Sequence, residues 1–181
     1  MRLGDRMNIK LREPEISDEQ ALKDYIEELS DELDAEGTNR LYIAIKENKY
    51  LDWLEWIKLT NSKTFLIVND NKILGLINIR YKLNDFLKKC GGHIGYNIRP
   101  SERRKGYAKE ALKLILKNAY ENGLDEVLID CYKDNTASRK TIESTSAELY
   151  SEEYLKERKQ TLIRYKINLK TYIKDSTNKI R

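Results

Sequence analysis

The chain has 181 residues, 40% apolar and 35% charged, with 34 basic against 30 acidic side chains and a net charge of +4. That length supports one domain with a sizeable core, and the charge balance is too even to argue for nucleic-acid binding on bulk charge. No apolar run approaches the roughly 18 residues of a membrane helix, the opening MRLGDRMNIK has no signal-peptide h-region, and Cys90 and Cys131 form no CxxC pair; the expectation is one reduced, cytoplasmic domain over residues 1–181.

Ile9 and Leu11 alternate with Lys10 and Arg12, which predicts a first strand ending near Pro14. The run SDEQ, residues 17–20, reads as a capping box. Behind it Ala21, Leu22, Tyr25, Ile26, Leu29 and Leu33 recur at helical spacing, so a first helix is expected to end near Gly37. A second helix is predicted over residues 43–59, with Leu51, Leu54 and Ile57 on one face. Residues 64–68 (TFLIV) and 73–81 read as a hairpin about the turn NDN, residues 69–71. A polar link follows. Then HIGYNIRP, residues 93–100, reads as a strand that Pro100 ends.

The next helix is the most legible element. Ala108, Ala111, Leu112, Ile115 and Ala119 make one apolar stripe, and Gly123 stands where a C-terminal cap belongs. The run EVLIDCY, residues 126–132, predicts a buried strand. A short helix over residues 135–143 and strands over 148–154 and 162–169 complete the chain, with a frayed tail from about Thr171. The order β α α β β β α β α β β makes this an α/β (α+β) protein with one strand–helix–strand unit in the middle.

That unit opens on RPSERRKGYAKEA, residues 99–111. Arg103, Arg104 and Lys105 crowd the start of a helix, where the partial charge is already positive. The placement costs stability unless an anion sits there, and phosphate is the first candidate. Free amides at a helix start bind phosphate oxygens, and Gly106 lets the backbone come close. The chain has neither GxxxxGK[ST] nor GxGxxG. A solvated charged loop is the plain alternative.

The pattern Arg103-x-x-Gly106-x-Ala108, after a strand and Pro100, resembles the (Q/R)xxGx(G/A) signature of the GNAT superfamily of N-acetyltransferases. An amphipathic helix, the strand VLIDC, and then Asn135 and Ser138 continue the likeness. The resemblance implies a central mixed, mostly antiparallel sheet flanked by helices, with splayed central strands. It implies acetyl-CoA as co-substrate, no metal, and a pyrophosphate held by Arg103, Arg104, Lys105, Gly106, Tyr107 and Ala108. Ile98 would pair with the pantetheine through its backbone, with Asn135 and Ser138 near that arm. A helix N-cap is the other reading of Asn135.

The implied chemistry is attack by a neutral amine on the thioester. Alkyl ammonium ions titrate near 10.4, so a base or proton wire is needed. His93, the only histidine, and Tyr96 are the catalytic candidates, each with packing as its alternative. The family often protonates the leaving thiolate with a tyrosine seven residues past this asparagine, where Ile142 stands here. Tyr96, Cys131 and Tyr132 are candidates to replace it.

The predicted first helix carries Asp18, Glu19, Asp24, Glu27, Glu28, Asp31, Glu32, Asp34 and Glu36 against one basic residue, Lys23. It either attracts a cationic acceptor or is a solvated face. The resulting expectation is acetylation of a small-molecule primary amine, with no nucleic-acid or membrane partner; a homodimer is left open. The alternatives are a non-catalytic module that binds CoA or acyl-CoA, and acetylation of a protein amine. Nucleic-acid binding through Arg103, Arg104, Lys105 and Lys109 is disfavoured, because Tyr107 is the one aromatic nearby.

Overall fold

Alternation of apolar and charged side chains makes β1 (Ile9–Arg12), which pairs antiparallel with β2 (Ser62–Asn69), Ile9 opposite Asn69 and Arg12 opposite Leu66. The computed structural model describes residues 8–29 and 38–178. These fall into two compact units, one drawn from residues up to 78 and 96–111, the other from 79–95 and from 112 onward.

In the first unit a 3-10 turn (Ile16–Asp18) leads into α1 (Glu19–Glu28). The reciprocal capping contact is not at Ser17 and Gln20 as the sequence suggests. Glu15 N–H donates to Asp18 Oδ2 at 2.8 Å, and Gln20 pairs with Asp24. The remainder of the predicted first helix, with Asp31, Glu32, Leu33, Asp34 and Glu36, lies outside the described residues.

The predicted helix over 43–59 is two helices, α2 (Thr38–Lys46) and α3 (Tyr50–Leu59). Asn48 breaks it, adopting φ 54°. Its amide donates to Ile45 O at 3.2 Å, and Lys49 N–H donates to Ala44 O at 2.7 Å. This is a Schellman ending, with asparagine in the left-handed place usually held by glycine. Leu22, Tyr25 and Ile26 of α1, Leu41 of α2 and Trp53 and Leu54 of α3 bury against Leu66 and Val68 of β2 and Ile73 and Leu76 of β3 (Lys72–Arg80). Tyr50 stacks on Trp53 at 5.7 Å and donates its hydroxyl to Glu15 O at 2.7 Å.

β1, β2, β3 and β4 (Ile94–Ile98) form one sheet in that order. Gly75 is required where β3 meets β4, because a Cβ there would stand 2.1 Å from the Asn97 carbonyl oxygen. The polar link between β3 and β4 contains a five-residue helix that the sequence reading missed, α4 (Asp85–Lys89), capped by Asn84 Oδ1 on Leu87 N–H at 2.9 Å. β4 is shorter than predicted at both ends, and Pro100 opens a 3-10 turn (Pro100–Glu102). α5 (Tyr107–Glu121) follows as expected, and Gly123, at φ 86°, ends it with a bond from Leu124 N–H to Ala119 O.

In the second unit β5 (Glu126–Tyr132), β6 (Glu148–Leu155) and β7 (Gln160–Asn168) form an antiparallel sheet in the order β5-β7-β6. Leu112, Ile115, Leu116, Val127, Ile129 and Ile167 are buried. α6 (Thr136–Glu143) is the predicted short helix. The expected frayed tail is α7 (Leu169–Asn178): Leu169 is fully buried, and Asn168 Oδ1 accepts from Thr171 N–H at 3.0 Å. The protein is thus a mixed α+β fold of antiparallel sheets flanked by helices.

One ion pair is buried inside this second unit. Arg164 on β7 grips Asp130 on β5 through Nε at 2.7 Å and NH2 at 2.5 Å, with side-chain exposures of 7% and 4%. Gly91 N–H also donates to Asp130 Oδ2 at 2.7 Å, and Arg164 donates to the Lys88 carbonyl. Removing one partner leaves a buried charge unpaired, which costs about 3–5 kcal/mol. Asp130→Ala is therefore expected to lower unfolding stability by about that amount in urea denaturation, and a loss below 1 kcal/mol would show that water reaches the arginine.

Candidate functional site

The turn after β4 carries the predicted anion site, all of it in the first unit. Proline at the first position of the 3-10 turn directs the chain out of the strand. Arg103 follows in extended conformation, Arg104 at φ 60° and Gly106 at φ 87°. A non-glycine residue in the left-handed region costs about 1–2 kcal/mol, so the loop shape is held against a local preference. The first α5 bond runs from Glu110 N–H to Gly106 O at 3.2 Å. The amides of Tyr107, Ala108 and Lys109 consequently have no partner within the helix.

The three cations differ in what they are committed to. Arg103 is half-buried and donates Nε to Ile98 O at 3.0 Å, which ties it to the end of β4. Lys105 Nζ pairs with Glu102 Oε2 at 2.9 Å, and Lys72 Nζ reaches Glu102 Oε1 at 2.6 Å. Bonds from those two lysines hold the buried Glu102 carboxyl below the ordinary carboxylate range. Arg104 is exposed, and among the described residues no group pairs with it. It is the cation of the loop left for a ligand. Tyr107 lines a cavity of about 590 Å³ with Glu102, Arg99, Asp24 and the β2–β3 turn.

A second carboxylate holds the loop. Glu28, at the end of α1, accepts Arg99 Nε at 2.7 Å and Ser101 N–H at 2.5 Å. Burial pushes this carboxyl up, but the bonds from Ser101 and Arg99 outweigh it and hold it below its usual range. Asp18 is likewise engaged by Arg12, and Glu19 by Lys23. Two of the acidic side chains of α1, Glu19 and Glu28, are thus paired with cations of the protein itself. Glu28 is legible in the sequence as part of an acidic helix but not as a clamp on this loop, and Arg99, Glu102 and Lys72 escaped the sequence reading: Glu102 is visible beside the cations in SERRK, but its partner lies 30 residues back and that of Arg99 lies 71 residues back.

The other predicted residues are divided between the two units, and His93, Cys131, Tyr132, Asn135, Ser138 and Ile142 lie in the second. His93 is half-buried beside β5: its amide donates to Leu128 O at 2.7 Å, and its Nδ1 accepts from Leu128 N–H at 2.9 Å. Burial, with the positive charges of Arg80 and Arg164, lowers its pKa against the pull of Glu126 and Asp130. A neutral ring accepting at Nδ1 carries its proton on Nε2, so this geometry offers a donor and a strand clamp, not a free lone pair. Tyr96 belongs to the first unit, half-buried on β4, and Ile98 is buried at its end.

Asn135 is the N-cap of α6, Oδ1 accepting from Ser138 N–H at 3.0 Å, which leaves its NH2 for a ligand. Burial raises the Cys131 thiol to about 11, partly offset by a hydrogen bond from Ser138, so it stays protonated at neutral pH. The Tyr132 hydroxyl accepts from Arg158 at 2.5 Å. Ile142 is fully buried. The Tyr165 hydroxyl on β7 reaches α6, donating to Glu143 Oε1 at 2.6 Å.

The family model described as an acetyltransferase (GNAT) domain matches residues 8–147. No curated protein sequence matches the chain. Among solved structures, RimL, a ribosomal L7/L12 alpha-N-protein acetyltransferase in complex with coenzyme A, is 18% identical with a TM-score of 0.71, covering 90% of this chain and 95% of that one. RimJ of Mycobacterium smegmatis is 15% identical with a TM-score of 0.75, over 90% of this chain and 83% of its own. A chimera of spermidine N-acetyltransferase SpeG from Vibrio cholerae and hSSAT is 17% identical with a TM-score of 0.68, over 92% and 98%. At these identities the likeness is one of fold.

The lowered pKa of His93 has a stability consequence. The unfolded state takes up a proton near pH 6.5 while the folded state resists, so the contribution is full above that pH and is lost as pH falls through the folded value. In His93→Asn, whose Oδ1 can take the place of Nδ1, the loss of stability between pH 7.5 and 5.5 is expected to be shallower than in the wild type, as read by urea midpoints. Equal slopes would mean that the ring does not titrate differently in the two states.

Proposed function

Because this chain belongs to the GNAT family of acetyltransferases, we propose that it moves the acetyl group of acetyl-CoA to a primary amine by direct attack. The observation that carries this reading is the turn after β4. Its residues fit a pyrophosphate: three helix-start amides, an Arg104 with no partner among the described residues, and a glycine whose positive φ of 87° few side chains adopt. Arg103, Arg104, Gly106, Tyr107 and Ala108 hold the diphosphate in this reading, and Lys105 adds its field while remaining tied to Glu102.

Bound acetyl-CoA supplies the activated acetyl thioester. The Ile98 backbone is assigned to its pantetheine arm. Tyr96 is the side chain on β4 assigned to moving the proton of the attacking amine. His93 is assigned to holding β5, since its remaining ring nitrogen carries a proton in the neutral form.

A small-molecule amine is the proposed acceptor. Acetylation of a protein amine is the second reading, favoured by the ribosomal-protein acetyltransferases among the similar structures. Turnover assays with spermidine and with a peptide bearing a free N-terminal serine separate them, and activity on neither, together with tight CoA binding, would favour a non-catalytic module.

Titration calorimetry is expected to show acetyl-CoA binding that weakens about tenfold in Arg104→Ala, the worth of one charge-assisted contact. Arg103→Ala should weaken it further, because it also releases the Ile98 carbonyl. Absence of binding to the wild-type protein would remove the basis of the proposal.

A further inference from the structure

The carboxylate of Glu28 lies in an unfavourable place for its own helix. It is the last residue of α1, where the helix end carries partial negative charge and a carboxylate is disfavoured. Its reward comes from elsewhere in the first unit: one oxygen accepts the Arg99 guanidinium at 2.7 Å, the other the Ser101 amide at 2.5 Å. Exposures of 12% for Arg99 and 27% for Glu28 make this more than a surface pair.

Arg99 is also fixed on its other sides. Its NH1 donates to Ile73 O at 3.1 Å, its NH2 lies 3.4 Å from Asp24 O, and its amide donates to Leu74 O at 2.9 Å. Its carbonyl accepts from Glu102 N–H at 2.9 Å, closing the 3-10 turn. Glu28 therefore grips both the residue that leaves β4 and the backbone of the turn that follows. Glu102, held by Lys72 and Lys105, fixes the other end of the same segment. Arg104, in the left-handed conformation at φ 60°, stands two residues past Glu102 and next to Lys105.

From this geometry we infer that Glu28 is a positioning residue for the cofactor loop: through Arg99 and Ser101 it holds the turn after β4 in the shape that binds the diphosphate of acetyl-CoA. The inference rests on the proposed function, which makes that loop the cofactor site. A preformed loop spares the ordering cost of binding. The sign of the effect separates positioning from simple charge. Removing a nearby negative charge should by itself tighten an anion, whereas loosening the loop should weaken it.

The test is Glu28→Gln, with Glu28→Asp as a second variant that keeps the charge and shortens the reach. Hydrogen exchange of the ligand-free protein is expected to quicken at the amides of residues 101–106, and the Kd for CoA to rise about tenfold. The KM for acetyl-CoA should rise with kcat within about twofold, because no reacting group is touched. Unchanged exchange, or CoA affinity that is unchanged or tighter in Glu28→Gln, overturns the inference even if overall stability falls. If Glu28→Gln does not fold, the same readouts in Glu28→Asp decide. Failure of the wild-type protein to bind CoA would instead overturn the cofactor reading, and with it the role of Glu28 toward that ligand.

Discussion

A positively charged turn at a helix start is unstable by itself, and in this protein carboxylates hold it together. Glu28 and Glu102 each accept from two partners, and both sets of partners lie in or beside the turn after β4. Charges that would repel one another are thereby converted into fasteners. What survives uncompensated is the set of groups useful to an anion: Arg104 and the amides that open α5. The cost of concentrating cations at the positive end of a helix is offset inside the protein for Lys105, and is left for a ligand to offset at Arg104.

The same turn depends on backbone that only certain residues tolerate. Gly75 allows β3 to approach the Asn97 carbonyl, which brings the end of β4 beside the start of β3 and lets Arg99 bond to Ile73 and Leu74. Gly106 supplies a positive φ immediately before α5. A change at either glycine acts on the loop through strand spacing or helix start, without touching a charged group. The shape of the proposed cofactor loop and the packing of the first unit thus depend on overlapping residues.

The second unit uses its polar residues mainly to hold backbone. His93 makes a two-way contact with Leu128, Asp130 binds Arg164 and the Gly91 amide, and Asn135 caps α6. The family resemblance makes a histidine at the start of a central strand and an asparagine after the next strand site candidates, and each also holds backbone here. For His93 the hydrogen bonds decide the matter of protonation: a nitrogen that accepts a backbone amide is not available to take a proton from a substrate.

The order of the strands, the β2–β3 hairpin, the α5 stripe and its Gly123 cap were legible in the sequence, because each depends on periodicity or turn chemistry within about a dozen residues. So was the cationic turn, whose charge and glycine are contiguous. The break at Asn48 was present as a signal and was overridden by a continuous apolar period, and α4 was too short to show one. The tail read as frayed for want of strong pattern, yet it is helical in α7, which begins at the buried Leu169, a residue the sequence places in the last strand. The clamps from Glu28 to Arg99 and from Lys72 to Glu102, and the bond from Leu128 to His93, span 71, 30 and 35 residues. A sequence states which charges exist; which of them cancel is decided by chain closure over such separations, and that decision belongs to the tertiary structure alone.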